Sequence, residues 1–198
     1  MKKILLVVFI FIFNCSLLLA QSDYNNQSNL TLNLKCYLEG FWNGTTHVQD
    51  SINIYLQQPA SPFNRIDSAG AFLSSSGVTN ATFTNAPAGN YYIAVKHLNH
   101  LETWSSSALA FSNNSPVNYD FTTDSSKALG NNMKKVGTKW VLYGGDANGD
   151  GSIDANDLVN LIPMPLHYDR RWDFNGDGFV DVMDVAIFSS NYGLTKVR

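Results

Sequence analysis

Residues 146–157 read Asp-Ala-Asn-Gly-Asp-Gly-Ser-Ile-Asp-Ala-Asn-Asp, and residues 173–184 read Asp-Phe-Asn-Gly-Asp-Gly-Phe-Val-Asp-Val-Met-Asp. Each stretch has oxygen-bearing side chains at its first, third, fifth, ninth and twelfth positions and glycine at its sixth. A single Asp-rich turn arises readily by chance, whereas a matched pair predicts a duplicated unit. Eight of the fourteen aspartates lie in these stretches, so this end of the chain is built to hold a cation.

The spacing is that of an EF-hand-type calcium loop. Calcium takes about six to eight oxygen ligands, and the chain must turn sharply at the sixth position, which glycine permits. We predict one Ca²⁺ ion per loop, two in all, with a backbone carbonyl contributed at position seven. Four carboxylates per loop repel one another without a cation, so folding here should depend on calcium. The predicted ligands are Asp146, Asn148, Asp150, Ser152, Asp154 and Asp157 in the first loop and Asp173, Asn175, Asp177, Phe179, Asp181 and Asp184 in the second.

Residues 145–193 resemble a type I dockerin. The first loop is entered from Trp140-Val141-Leu142-Tyr143, which has no amphipathic helical pattern, so each unit is a loop followed by a helix. Position twelve is Asp rather than the usual Glu, and helix starts are expected at residues 157–161 and 184–188, with an Asn-Tyr-Gly end at 191–193. The resemblance implies two antiparallel helices that present a face to a cohesin module.

The sequence departs from that family at two places. Positions ten and eleven, where dockerins that attach enzymes carry hydroxyl residues, are Ala155-Asn156 and Val182-Met183. Pro163 and Pro165 also shorten the first expected helix. The resemblance therefore implies calcium binding and a cohesin-like or cell-surface partner, but not the classical cellulosomal one.

The first twenty residues have the layout of a signal peptide. Lys2 and Lys3 precede an apolar run that ends in Leu-Leu-Leu-Ala at 17–20. We predict export, a secreted or cell-surface location, and no membrane insertion after cleavage, although an uncleaved anchor stays open. The expected organisation is a signal peptide at 1–20, an antiparallel β-sandwich at 29–123, a linker at 124–139 and the calcium-binding module at 140–198.

Alternation of apolar and polar residues predicts the sandwich, as in Leu30 to Glu39, 51–57 and 91–96. Seven or eight short strands separated by turn signals favour two packed sheets. The turn Pro87-Ala88-Gly89-Asn90 before Tyr91-Tyr92 resembles sandwiches of the transthyretin-like or carboxypeptidase-regulatory type. The fold class we predict is a β-sandwich followed by a small α-helical, duplicated calcium-binding module.

The net charge and the number of cysteines exclude some partners and some ways of stabilising the fold. The formal net charge is −3 and becomes more negative once the leader's two lysines are removed, which argues against nucleic acid as a partner. Cleavage also removes Cys15 and leaves Cys36 alone, so no internal disulfide can form. Cys36 is in phase with apolar neighbours, which predicts a buried thiol.

Other residue groups leave alternatives open. His97 and His100 could bind a metal, but a strand with the two residues on opposite faces, or a turn through Asn99, explains them as well. Glu39 or Glu102 paired with an aspartate could serve as glycosidase carboxylates, and an aromatic strip could stack on sugar rings. The aspartates in question are Asp50, Asp67 and Asp120, and the aromatics are Trp42, Tyr55, Tyr92 and Trp104.

Three functions are consistent with these features. The first is a non-catalytic secreted protein whose sandwich contacts a surface or a carbohydrate and whose calcium module attaches it to a partner. The second is an accessory component of polysaccharide degradation with hydrolase activity. The third is a purely structural protein whose calcium module docks on its own sandwich.

Overall fold

The fold was analysed in a computed structural model, which describes residues 29–159 and 168–198. The leader and the two prolines after the first loop lie outside these ranges. Ten strands and one α-helix are present in the described part of the chain. The strands are β1 Leu30–Lys35, β2 Asp50–Gln57, β3 Arg65–Leu73, β4 Val78–Phe83, β5 Gly89–Lys96, β6 Thr103–Trp104, β7 Leu109–Phe111, β8 Val117–Asp120, β9 Lys134–Val136 and β10 Lys139–Val141, and the helix is α1 Val182–Asn191.

Two sheets form a sandwich-like body. One has the strand order β4-β1-β8, the other β3-β2-β5-β6 with β7 also pairing with β5, and β9 and β10 form a separate hairpin. The prediction of a mainly β-sheet, sandwich-like fold is confirmed. The prediction that it is wholly antiparallel is wrong, because β1 and β8 pair in parallel while the other pairs are antiparallel.

Period-two alternation explains the core. In β1 the even-numbered residues Leu30, Leu32 and Leu34 are buried, and in β2 Ile52, Ile54 and Leu56 are buried. Successive strand side chains point to opposite faces, so one face of each strand fills the interior. Each of these side chains contributes roughly 2 kcal/mol through burial.

Cys36 continues the buried row of β1, as predicted. Its side chain is fully buried, and burial, followed by the charge of Asp120, raises the pKa of the thiol to about 12. A thiol with so high a pKa is almost never a thiolate and is therefore chemically inert.

The segment that composition assigns to a linker packs closely against the sandwich. Three short 3-10 helices occupy Phe121–Thr123, Ser125–Lys127 and Leu129–Asn131, and the β9–β10 hairpin follows. Ala128 and Met133 belong to the main apolar cluster. Residues 124–139 thus join the sandwich to the C-terminal region through packed structure, and the placing of a domain boundary there stays a prediction.

The C-terminal region docks on one end of the sandwich. A second apolar cluster joins Leu101 from the sandwich to Trp172, Phe174 and Phe188 from the C-terminal region. At Gly40, where φ is 77°, an added Cβ would lie 2.5 Å from the carbonyl oxygen of Phe174. The two backbones approach so closely there that only glycine fits. No helix in the described ranges is long and apolar enough to span a membrane.

Candidate metal centres

The two Asp-rich loops have the same internal hydrogen-bond framework. The carboxylate at position one accepts from the position-six amide, Gly151 N to Asp146 Oδ2 at 3.1 Å and Gly178 N to Asp173 Oδ2 at 3.0 Å. The position-three Asn accepts from the position-five amide at 2.8 and 2.9 Å. The position-five Asp accepts from the position-seven amide at 2.8 and 2.9 Å. Sequence repetition therefore becomes structural repetition, because the same three side chains accept from the same three backbone amides in both loops.

Glycine at position six is required by conformation. Gly151 has φ of 92° and Gly178 has φ of 91°, values that are strained for any residue with a Cβ. This left-handed turn is what brings the sixth amide back to the first carboxylate. The sequence-based reason for glycine at this position is confirmed.

The carboxylates at positions nine and twelve also start the following helix. Asp181 caps α1 by accepting from Met183 N, while Asp184 Oδ2 accepts from Asp181 N at 2.9 Å, which is a capping box. Asp154 and Asp157 repeat this arrangement at a 3-10 helix, Ala155–Leu158. The predicted second helix is observed, whereas the first is described only as this 3-10 turn, and its remainder lies outside the described residues.

Position twelve ties the ends of each loop together. Asp157 Oδ1 accepts from Asn148 N at 3.0 Å, and Asp184 Oδ1 accepts from Phe174 N at 2.7 Å and from Asn175 N at 3.2 Å. With the bonds to position nine, each of these buried carboxylates holds both halves of its loop. The Asp side chain at position twelve is shorter than the usual Glu, and its carboxylate accepts these backbone hydrogen bonds directly.

The carboxylates at loop positions one and twelve are buried, which raises the free-energy cost of their negative charges. Asp146, Asp157, Asp173 and Asp184 are all at most 3% exposed. Burial, followed by the charge of Asp157, raises the pKa of Asp146 to about 6, and burial raises the pKa values of Asp157 and Asp184. Several buried carboxylates facing one another are costly unless a cation compensates them.

One carboxylate oxygen of the first loop has no hydrogen-bond partner among the described residues. Asp146 Oδ1 is buried without a hydrogen-bond partner. A buried, unpaired carboxylate oxygen is costly, and an ion within the loop would satisfy it. The residues present therefore fit Ca²⁺, a hard cation that prefers carboxylate, amide and carbonyl oxygens.

His, Cys, Asp and Glu side chains alone do not form a metal site in the described residues. No group of three or more such side chains in 29–159 and 168–198 is placed to hold a metal ion. The predicted ligand set also draws on amide oxygens of Asn148 and Asn175 and on backbone carbonyls at Ser152 and Phe179. Calcium at these loops therefore stays a prediction.

The backbone of Ile153 is bonded to the chain after α1. Ile153 N donates to Leu194 O, and Gly193 N donates to Ile153 O, both at 2.8 Å. The side chain of Ile153 is fully buried in the second apolar cluster, against which Val180 also packs. Position eight is thus apolar and packed in both loops, and residues 193–194 after α1 add backbone hydrogen bonds that the sequence did not indicate.

The second loop is held by sandwich residues as well as its own. Asn99 Nδ2 donates to Asp173 O at 2.8 Å and to Arg170 O at 3.1 Å. Arg170 in turn forms an ion pair with Asp50 of β2, 2.5 Å between Nη2 and Oδ2. These contacts link the ordering of the second loop to the sandwich.

The two candidate histidines lie together, so their placing on opposite faces of a strand is wrong and the alternative of a turn through Asn99 is observed. β5 ends at Lys96, and the turn that follows brings His97 Nδ1 to 2.9 Å from His100 Nδ1. The other nitrogen of each ring is also bonded, His97 Nε2 to Asp50 and His100 Nε2 to the carbonyl oxygen of Glu39. Burial, followed by the charge of His97, keeps the pKa of His100 well below its usual value, so the pair is a buried structural element.

Most candidate catalytic carboxylates are engaged in structural contacts. Asp50 pairs with His97 and Arg170, Asp67 accepts from Asn85 and Ala86, and Asp120 accepts from Thr122. Glu102 accepts from Trp104 Nε1 at 2.8 Å. Glu39 bonds to Lys134, Asn191 and the amide of Gly144.

The aromatic strip is only partly assembled. Strand register places Tyr55, Tyr92 and Trp104 on one face of the larger sheet. Trp104 is only 3% exposed, however, and Trp42 lies elsewhere, stacked on Tyr37 with ring centroids 3.9 Å apart. Indole faces buried in this way are not available for sugar stacking. The prediction of an exposed strip of four aromatic residues is therefore wrong.

Apolar side chains are exposed along α1 and the loop before it. Val182 is 74% exposed and Met183 is 59% exposed, at loop positions ten and eleven. The other exposed apolar residues of this group are Phe179, Val185 and Tyr192. An apolar patch of this kind on an otherwise acidic module is typical of an interaction surface.

Comparisons with known proteins give limited information. No family model matches the chain, and no curated protein matches it. Among solved structures, a C-terminal interface mutant of a type II cohesin–X-dockerin complex from Acetivibrio cellulolyticus matches with a TM-score of 0.47 and 16% identity, over 83% of this chain and 96% of the other. An N-terminal interface mutant of such a complex matches with a TM-score of 0.43 and 14% identity, over 84% and 95%. At these scores the matches assign neither a family nor a function.

Proposed function

We propose that this chain is a secreted, non-catalytic attachment protein whose two Asp-rich loops each bind one Ca²⁺ ion. In this proposal residues 1–20 are the signal for export, and the calcium-loaded C-terminal region is a dockerin-like module. The observation that carries the proposal is the pair of matched loop frameworks, one of which leaves Asp146 Oδ1 buried and unpaired. Calcium would be held by the twelve predicted ligands and would supply the charge that these carboxylates lack.

The exposed face of α1 supports a protein partner for the module. A cohesin-like or cell-surface protein with an apolar patch would cover Val182 and Met183, which otherwise remain in water. Apolar residues at loop positions ten and eleven suit a partner with an apolar patch. Such a partner differs from cohesins that recognise hydroxyl groups at these positions. Calcium would act on this surface indirectly, because its predicted ligands Asp181 and Asp184 also start α1.

A binding measurement with a purified cohesin module tests this surface. We expect saturable binding in calcium that is lost in EDTA and weakened at least tenfold by Val182→Asp with Met183→Asp. Both side chains are exposed, so the fold should tolerate the change. Phe72→Asp, at a 57% exposed position of β3 in the larger sheet, is the matched control and should bind normally. Binding of a purified dockerin module instead would place this chain on the opposite side of such a complex and contradict the proposal.

For the sandwich we propose adhesion or carbohydrate contact. A cavity of about 320 Å³ opens beside Trp104, and amide, guanidinium and carboxylate groups suited to hydroxyl recognition line it. The polar residues around it are Gln57, Asn64, Arg65, Glu102 and Arg198. On a glycan array, we expect a retained sugar whose signal falls on Arg65→Ala and not on Lys35→Ala, which lies on the other sheet. An array without any retained sugar would count against this role.

A further inference from the structure

Three side chains from distant parts of the chain meet where the C-terminal helix docks. Glu39 follows β1, Lys134 begins β9 and Asn191 ends α1. Lys134 Nζ lies 2.5 Å from Glu39 Oε1 and 3.0 Å from Asn191 Oδ1. Asn191 Nδ2 donates to Glu39 Oε2 at 2.5 Å. One carboxylate therefore bridges an amine and a primary amide that also contact each other.

The Lys134 amine is a nucleophile, the Asn191 amide carbon is an electrophile, and the Glu39 carboxylate between them can carry protons. We propose that Lys134 Nζ and the Asn191 side chain condense into an intramolecular amide cross-link, with Glu39 as the catalytic acid and base. Holding the two reactants in contact replaces an encounter with a unimolecular step, which greatly accelerates reactions that are slow in solution. Glu39 contacts both reacting groups, which is the geometric requirement for proton transfer.

The chemistry balances without any co-reactant. Glu39 Oε1 takes a proton from Nζ, and the free amine pair attacks Cγ of Asn191. The Nζ–Cγ bond forms, and the former amide oxygen carries the negative charge of the tetrahedral intermediate. Protonated Glu39 then delivers its proton to Nδ2, the oxyanion re-forms the carbonyl group as the Cγ–Nδ2 bond breaks, and ammonia leaves. Glu39 takes the second Nζ proton and ends in its protonated form. An amine and a primary amide become a secondary amide and ammonia, with no change in oxidation state.

The surroundings assist these steps. The Glu39 side chain is 7% exposed and Asn191 is 1% exposed, so the carboxylate and the amide meet away from bulk water. Ser190 Oγ lies 3.2 Å from Asn191 Oδ1, within reach of the developing negative oxygen. The Lys134 side chain is 30% exposed, which leaves a path for ammonia to escape.

The cross-link would close a covalent ring that contains both Asp-rich loops. Joining residues 134 and 191 restricts the unfolded chain as a disulfide does. This chain has only Cys36 once the leader is removed, so no internal disulfide can perform that role. The linkage would keep α1 attached to the hairpin even when calcium is absent.

Mass spectrometry of the purified, denatured mature protein tests the inference. Condensation removes one ammonia, so the intact mass should fall by about 17 Da. Cyclisation of an N-terminal glutamine gives the same loss, so the deciding result is the tryptic digest. We expect one branched species that joins residues 128–135 to residues 172–196, with fragment ions that place the bond between Lys134 and Asn191.

Three variants separate the linkage from an ordinary ion pair. Lys134→Arg keeps the positive charge but cannot form the product, and Glu39→Gln removes the proton carrier, so both should lack the branched species. Lys135→Arg, at the neighbouring exposed lysine, is the matched control and should retain it. Recovery of the two peptides only as separate species from folded wild-type protein would overturn the proposal, whether or not the variants fold.

Discussion

Removal of calcium with EDTA is expected to lower the thermal midpoint of the whole chain by roughly 10–20 °C. Each ion, at a free concentration about a hundredfold above its Kd, would stabilise the folded state by about 2.7 kcal/mol, or about 5 kcal/mol for two sites. A change of that size shifts the midpoint of a chain of this length by the stated amount. Differential scanning fluorimetry with excess calcium, with EDTA, and with calcium restored measures it.

The effect should reach the sandwich, because the module and the sandwich share buried contacts. Leu101 lies in one apolar cluster with Phe174 and Phe188, and Asn99 bonds to the backbone of Asp173. Loss of the second loop's structure would expose these sandwich residues. We therefore expect tryptophan fluorescence and β-sheet circular dichroism to change in one transition, and an early transition confined to the helical signal would contradict this coupling.

Asp184→Ala is expected to reduce the calcium stoichiometry to about one per chain and to unwind α1. Asp184 accepts three backbone hydrogen bonds, from Phe174, Asn175 and Asp181, and is a predicted ligand. Its loss leaves these donors unpaired, and each buried unpaired donor costs about 1–3 kcal/mol. Isothermal titration gives the stoichiometry, and far-ultraviolet circular dichroism reports the helix.

The matched control for that variant is Asp169→Asn. Asp169 lies just before the second loop and pairs with Arg171, outside the predicted ligand set. This variant should keep both calcium ions and the helix. Equal loss of calcium in the control and in Asp184→Ala would show that binding reflects general acidity rather than the loop framework.

Features encoded locally were predictable from the sequence. The loop framework follows from ligand and glycine spacing within twelve residues, because the same side chains that would bind the ion also bond the loop backbone. The start of α1 follows from Asp181 and Asp184 at capping positions. The buried rows of β1 and β2 follow from period-two alternation.

Features that depend on distant contacts were not predictable. The parallel pairing of β1 with β8 joins residues about eighty-five positions apart, as in the Asn33–Asn118 hydrogen bond. Glu39 lies 95 positions from Lys134 and 152 from Asn191, so no local pattern marks their meeting. The contact between the His97 and His100 rings was not predicted either, although a turn through Asn99 was one of the alternatives.

Calcium titration of the mature wild-type protein, stripped of metal beforehand, tests the account most directly. Isothermal titration should show about two ions bound per chain, since each loop presents one set of inward-facing oxygens. A stoichiometry near zero, with an unchanged melting curve, would contradict the calcium assignment and with it the attachment role built on α1.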